Sequence, residues 1–346
     1  KISNLAAFWP LVFSWYFIAR ATAGKNFARS FSIIITWLPT TWYYFCIIYR
    51  DELTAMLHSV FLASLFKFHT DKDHGRFDVV FIILSAFALF LLRPATILIN
   101  GITFFIVVLC MALSNGLLNY KHYSVTIIVF LVCAALSIVI VNNPVLSEVS
   151  SFNALTQTQT VADVKDKYDQ SDNMPNTLRP LRALSVVPLF IVSEPTIVSK
   201  QLNMLDPEQV RGIMNGMWVL IGPPFVLIGF WFIGRHILLR FLSGLTRLRG
   251  TKGFEDRGGM RKNHFCITKQ IGLNREGSGF LFCVFGYCVV WLVVCAITWD
   301  WTRWRLPAVP ALALIAYFGA YALRRSDRAL VLIGWFGMLA MWRFLQ

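Results

Sequence analysis

The chain has 346 residues and a formal net charge of +14. It is 57% hydrophobic and only 14% charged, with 30 Phe and 12 Trp. Its mean hydropathy of +0.61 lies far from that of a water-soluble domain and excludes one. What remains is an all-α, polytopic integral membrane protein, read here as a single transmembrane domain over 1–346.

Apolar runs of about 20 residues are long enough for a helix to cross a hydrocarbon core of roughly 30 Å. Stretches such as "FDVVFIILSAFALFLL" and "FCVFGYCVVWLVVCAIT" are apolar on every face, whereas the strands of a barrel would alternate. In chain order the expected spans are Leu5 to Ala19, Phe31 to Tyr49, Leu53 to Phe68, Phe77 to Leu92, Pro94 to Leu113 and Tyr123 to Val141. Met214 to Gly234, Gly279 to Thr298, Pro307 to Leu323 and Ala329 to Leu345 follow, about ten in all. The first has no small-residue cleavage site behind it and reads as a span, not a signal peptide.

The connections differ in charge. The 235–278 segment, including "RLRGTKGFEDRGGMRKN", is dense in Arg and Lys and is expected to stay cytoplasmic, which orients the other spans. On that threading "RATAGKNFARS", "KFHTDKDHGR", "NYKHYS" and "RRSDR" are also inside. The "RDE" at 50–52, Arg93, the 142–213 segment and "WDWTRWR" are outside. The net positive charge then reflects anionic lipid headgroups at the inner face, with no nucleic acid as partner. "GRHILLRFLSGLTRLRG" is expected to lie along the inner surface, its arginines anchoring it electrostatically.

The 142–213 segment is the one long outer loop. It begins polar and then carries "LRPLRALSVVPLFIVSEP", whose short apolar stretch, broken by Pro188 and closed by Pro195, suits a re-entrant segment better than a span. "MLDPEQVRGIMNGMW" has the marks of a helix start: Asp206 as cap, Pro207 in the first turn and Glu208 near the positive end of the dipole. The cysteines Cys46, Cys110, Cys133, Cys266, Cys283, Cys288 and Cys295 fall mostly in apolar runs and form neither a disulfide framework nor a metal-ligand spacing. No metal or other cofactor is expected, and the glycine-containing pieces of the basic loop do not have phosphate-loop spacing.

Chemistry concentrates at the outer face. Arg50, Asp51 and Glu52 separate two apolar runs, and two readings of them stand. One is a hairpin turn whose acids offset the dipole of the next helix while Arg50 reaches the headgroups. The other rests on Asp51, Thr54 and His58, which at i, i+3 and i+7 make one polar stripe that enters the bundle. Arg93 in "FLLRPATI", and Arg179 and Arg182 in "LRPLRAL", stand at the same face as Arg50. Guanidiniums gathered there suit a diphosphate, since the planar fork pairs with phosphoryl oxygens and stays charged. Asp51, Glu52 or His58 would serve as a general base beside them. His69, His74, His122, His236 and His264 fall on the inner side, away from this chemistry.

With about ten spans, a long outer loop and outward arginines in "YRDE", "LRPAT" and "LRPLR", the chain resembles the bacterial lipid-linked oligosaccharide polymerases of the Wzy type and their O-antigen-ligase relatives. The resemblance implies a multi-pass protein of the bacterial inner membrane. It also implies metal-independent glycosyl transfer that polymerises undecaprenyl-diphosphate-linked repeat units at the outer leaflet in surface polysaccharide synthesis. On that reading Arg50, Arg93, Arg179 and Arg182 bind the substrate diphosphate, and Asp51 or His58 is the catalytic base. The partners are membrane lipids, the lipid-linked oligosaccharide and other envelope-assembly proteins. The alternatives are a structural inner-membrane subunit of a secretion or conjugation machine and, third, a transporter. Against the last stand span centres nearly free of charge.

Overall fold

A computed structural model describes residues 2–37, 50–70, 76–92, 96–115, 221–236, 275–298 and 307–345. Among them the chain is all-helical, with no strand. In chain order the helices are α1 (Ile2–Ala23), α2 (Lys25–Trp37), α3 (Arg50–Thr70), α4 (Arg76–Leu92), α5 (Thr96–Asn115), α6 (221–236), α7 (Arg275–Thr298), α8 (Ala308–Ala322) and α9 (Arg325–Leu345). Among the described residues no helix is both long and apolar enough to cross a membrane. The expected span at Tyr123 to Val141, the outer loop at 142–213 and nearly all of the basic loop at 235–278 lie outside the described residues.

The inner connection expected between the first two spans is almost entirely helical. Only Gly24 interrupts it, with φ at +88°, a left-handed conformation that side chains rarely adopt. Gly24 N donates to Arg20 O at 2.9 Å and Ala28 N donates to Gly24 O at 3.1 Å, so one residue both ends α1 and starts α2. The flanking Ala, Arg, Lys and Asn have no reason to leave the helix. Beyond the turn Phe27, Ala28, Phe31 and Ile35 form the buried stripe of α2. The Phe27 ring lies 4.7 Å from Tyr317 and 5.6 Å from Tyr321 of α8.

α3 and α4 form a hairpin fastened by Lys67, whose Nζ meets Asp78 Oδ1 at 2.9 Å. Asp78 is buried in the first turn of α4, where a negative charge also suits the helix dipole. α4 is otherwise arranged inside out. Val79, Val80, Phe81, Ile83, Leu84, Phe87 and Leu91 face outward, while Asp78, Ser85 and Leu89 are buried.

Close approaches at glycines pack α6 on α8 and α7 on α5. At the crossing of α6 and α8, Gly229 and Gly319 face each other. A Cβ on Gly319 would stand 2.7 Å from Gly229 N and would collide with the Phe225 carbonyl. One on Gly229 would strike the Ile315 carbonyl and stand 2.7 Å from its Cγ2. α7 meets α5 where Gly286 receives the Ile106 side chain and the Cys283 thiol donates to Val107 O at 3.5 Å. α8 is buried along most of its length. Its C-terminal end is finished by the Leu323 amide donating to Ala320 O, and by Arg328 Nε donating to Leu323 O at 3.1 Å.

These contacts predict a contrast between glycines. Gly229→Ala and Gly319→Ala should each destabilise the bundle by about 1–3 kcal/mol through overpacking. Gly334→Ala and Gly337→Ala in α9, where nothing lies within 4 Å, should leave stability unchanged or raise it through helix propensity. Thermal melts of the four variants would check this, and equal stability for all four would contradict the crossing.

Candidate functional site

The polar stripe expected on α3 turns into the bundle. Thr54, His58 and Ser59 are all buried, beside Ala55, Leu62, Leu65 and Phe66 on the same face. Arg50 and Asp51 occupy the first turn of α3 instead of a loop before it, so the charged triplet belongs to the helix itself. Their backbone places them at one end of the stripe that His58 continues inward. Arg93, Arg179 and Arg182 lie outside the described residues.

Around His58 the walls are aromatic. Its ring meets Trp291 of α7 edge to face, with centroids 4.8 Å apart and planes at 83°. The neighbouring Ser59 hydroxyl accepts from Trp15 Nε1 of α1 at 2.9 Å and donates to Ala55 O at 2.7 Å, so both of its hydrogen-bonding roles are used. Trp15 also approaches Tyr287 at 6.3 Å, and Tyr287 Oη donates to Pro307 O, 3.4 Å away at the start of α8. α1, α3, α7 and α8 are thus tied at one level by indoles, a phenol and a serine. Neither nitrogen of His58 has a hydrogen-bond partner among the described residues.

A second set of polar side chains comes from α5, where Asn100 and Thr103 are buried one turn apart. Their side-chain polar atoms likewise have no partner among the described residues. Asn100, Thr103, Ser59, Trp15, Tyr287 and Trp291 were not among the residues singled out from the sequence. The "INGIT" spacing within an apolar run was the available signal, because two hydrogen-bonding side chains at i, i+3 inside such a run must share one helix face.

Elsewhere the groups are structural. His236 at the end of α6 lies against Phe282 at 5.7 Å. Cys283 and Cys288 are buried free thiols. Among the described residues no group of three or more His, Cys, Asp and Glu side chains could hold a metal ion.

Compared with protein-family models, with curated proteins and with solved structures, the chain matches none.

The Trp15–Ser59 bond gives a direct test of this level of the bundle. Ser59→Ala leaves a buried indole N–H without its acceptor and should cost about 1–3 kcal/mol. Trp15→Phe carries a packing cost of its own, but the double variant should lose less than the sum of the two single losses, because the unpaired indole N–H is then gone. Melting curves of the two single variants and the double variant measure the coupling, and strict additivity would contradict the bond.

Proposed function

We propose that the chain is a polytopic helical protein of a bacterial inner membrane that polymerises lipid-linked oligosaccharide at the outer leaflet. The membrane assignment is supported by the outward side chains. Seven large apolar residues line the exposed face of α4, and Leu330, Ile333, Phe336, Met338 and Met341 line that of α9. Trp9 and Phe13 on α1, and Ile33, Ile34 and Trp37 on α2, are exposed as well. Large apolar residues exposed on four helices, together with buried Asp, Ser, His and Asn side chains, fit contact with lipid better than contact with water. The close glycine crossings also fit, since helices in lipid associate largely through packing of small residues.

The observation that carries the catalytic reading is the buried direction of the Thr54–His58 stripe below Asp51. Asp51 sits at the helix end and His58 lies seven residues further on, a rise of about 10 Å along the axis. A single substrate hydroxyl cannot lie within hydrogen-bond reach of both, so only one of them is the base. Asp51 takes that role. It accepts the proton of the incoming sugar hydroxyl as that oxygen attacks the anomeric carbon, and the carbon–oxygen bond to the prenyl diphosphate breaks. Arg50, Arg93, Arg179 and Arg182 hold the departing diphosphate by charge-assisted hydrogen bonds. His58 orders the inner wall of the site.

Asp51→Asn in a cell that makes the glycan should cut chain extension by at least about 100-fold, the lower range for loss of a general base. Single repeat units should accumulate on the lipid. His58→Gln should retain polymer, and each Arg→Ala variant should shorten it. Electrophoretic separation of the glycan by chain length reads all six. Normal polymer in every variant would remove the catalytic reading and favour a structural subunit of an envelope machine. Cysteine labelling of the 235–278 segment from the cytoplasmic side tests the threading separately.

A further inference from the structure

Two helix pairs share α7 as their common ruler. α3 runs antiparallel to it, because His58 meets Trp291 while Phe66 meets Phe280 at 4.5 Å. α5 is also antiparallel to it, with Val107 beside Cys283 and Ile106 beside Gly286. From Gly286 to Trp291 is a rise of about 7.5 Å, and from Ile106 back to Asn100 about 9 Å. Asn100 therefore stands at the level of Trp291, which is also the level of His58. Thr103 follows one turn along α5, and α3 and α5 are themselves in contact.

Three hydrogen-bonding side chains thus come from two adjacent helices within about one helical turn of each other in the interior. His58 is 1% exposed, Asn100 4% and Thr103 1%. None has a hydrogen-bond partner among the described residues. Together they offer both kinds of polar capacity: a carboxamide with two N–H donors and a carbonyl, a hydroxyl, and an imidazole with one donor and one acceptor when neutral. Leaving such groups unsatisfied costs about 1–3 kcal/mol each, which is why buried polar atoms in folded proteins are almost always partnered. Among the described residues no carboxylate or cationic side chain is found at this level, and the chemistry of these three groups suits a small neutral molecule that both donates and accepts.

We propose that His58, Asn100 and Thr103 form an internal hydration site in the seam between α3, α5 and α7, binding a small group of water molecules with the edge of Trp291 as one wall. A buried water makes about three hydrogen bonds, and these side chains supply the mixture of donors and acceptors it requires. The site depends only on the helix register and holds whether or not the chain polymerises glycan.

Hydroxyl-radical footprinting of the full chain by X-ray radiolysis tests it, because radicals generated from bound water oxidise neighbouring side chains even where bulk solvent is excluded. Oxidation of His58 and Trp291, each normalised to the same residue in the denatured chain, should exceed several-fold that of Phe66 and Phe280. Those two rings pack on each other in the same helix pair and are equally buried. Asn100→Leu with Thr103→Val should lower labelling of Trp291 toward the Phe66 level. If His58 and Trp291 in the unmodified chain react no more than the Phe66 and Phe280 pair, the site does not hold water and the proposal fails. This comparison needs no variant to fold. Undiminished labelling in a folded double variant would equally overturn the assignment of Asn100 and Thr103.

Discussion

Hydrogen-bonding groups carried on helices whose outer faces are apolar have to be satisfied inside the bundle, and that constraint organises this structure. The level of Trp15, Ser59, Tyr287 and Trp291 meets it with direct bonds. An indole N–H goes to a hydroxyl, that hydroxyl to its own helix backbone, and a phenol to the carbonyl at the head of α8. Each bond joins different segments of the fold or orients the group that does so. The polar contacts therefore decide which helices are neighbours, while the aromatic bodies fill the volume between them. Lys67 and Asp78 apply the same logic near the hairpin end of α3. There the carboxylate is buried and the lysine, 48% exposed at its side chain, keeps access to the surroundings.

Apolar burial alone would not select this arrangement, because nearly every helix has apolar residues on all sides. α4 could bury almost any of its faces with a similar gain in contact. Asp78 and Ser85 single out one face. Small residues provide the complementary selection. Gly229 and Gly319 permit two backbones to approach more closely than any side chain would allow, and Gly286 allows α7 to receive Ile106. Polar groups thus set the rotation of a helix about its axis, and glycines set how near its neighbour can come.

Much of the helical content was legible because long apolar runs bounded by charge leave few alternatives. α3, α4, α5, α7, α8 and α9 all fall within a few residues of where the runs placed them. The first connection was less legible. "RATAGKNFARS" is polar, and polarity points to a loop, yet nothing but Gly24 in it opposes a helix. The inward direction of Thr54 and His58 followed from helical spacing. The partners of that face did not, since Trp15, Tyr287 and Trp291 lie far away in sequence. Spacing within one helix says which side chains share a face but not which face of another helix comes to meet it. Asn100 and Thr103 were missed for a related reason: amide and hydroxyl side chains within a strongly apolar run contribute too little to its average to be noticed there.

The separation between Asp51 and His58 matters for how any chemistry on α3 can be organised. A rise of about 10 Å makes the two residues successive positions along one inward path, not alternative occupants of one role. The outer position has a charged neighbourhood in sequence, with Arg50 and Glu52 beside it. The inner one is enclosed by Trp291 and by the Trp15–Ser59 bond. A carboxylate at the end of a helix can exchange protons with solvent and turn over, whereas an imidazole enclosed by indole is better suited to hold fixed hydrogen bonds. On the proposed function, Asp51 takes the reacting proton and His58 belongs to the interior wall, so that one helix would serve both needs along a polar stripe that runs from its first turn into the buried face.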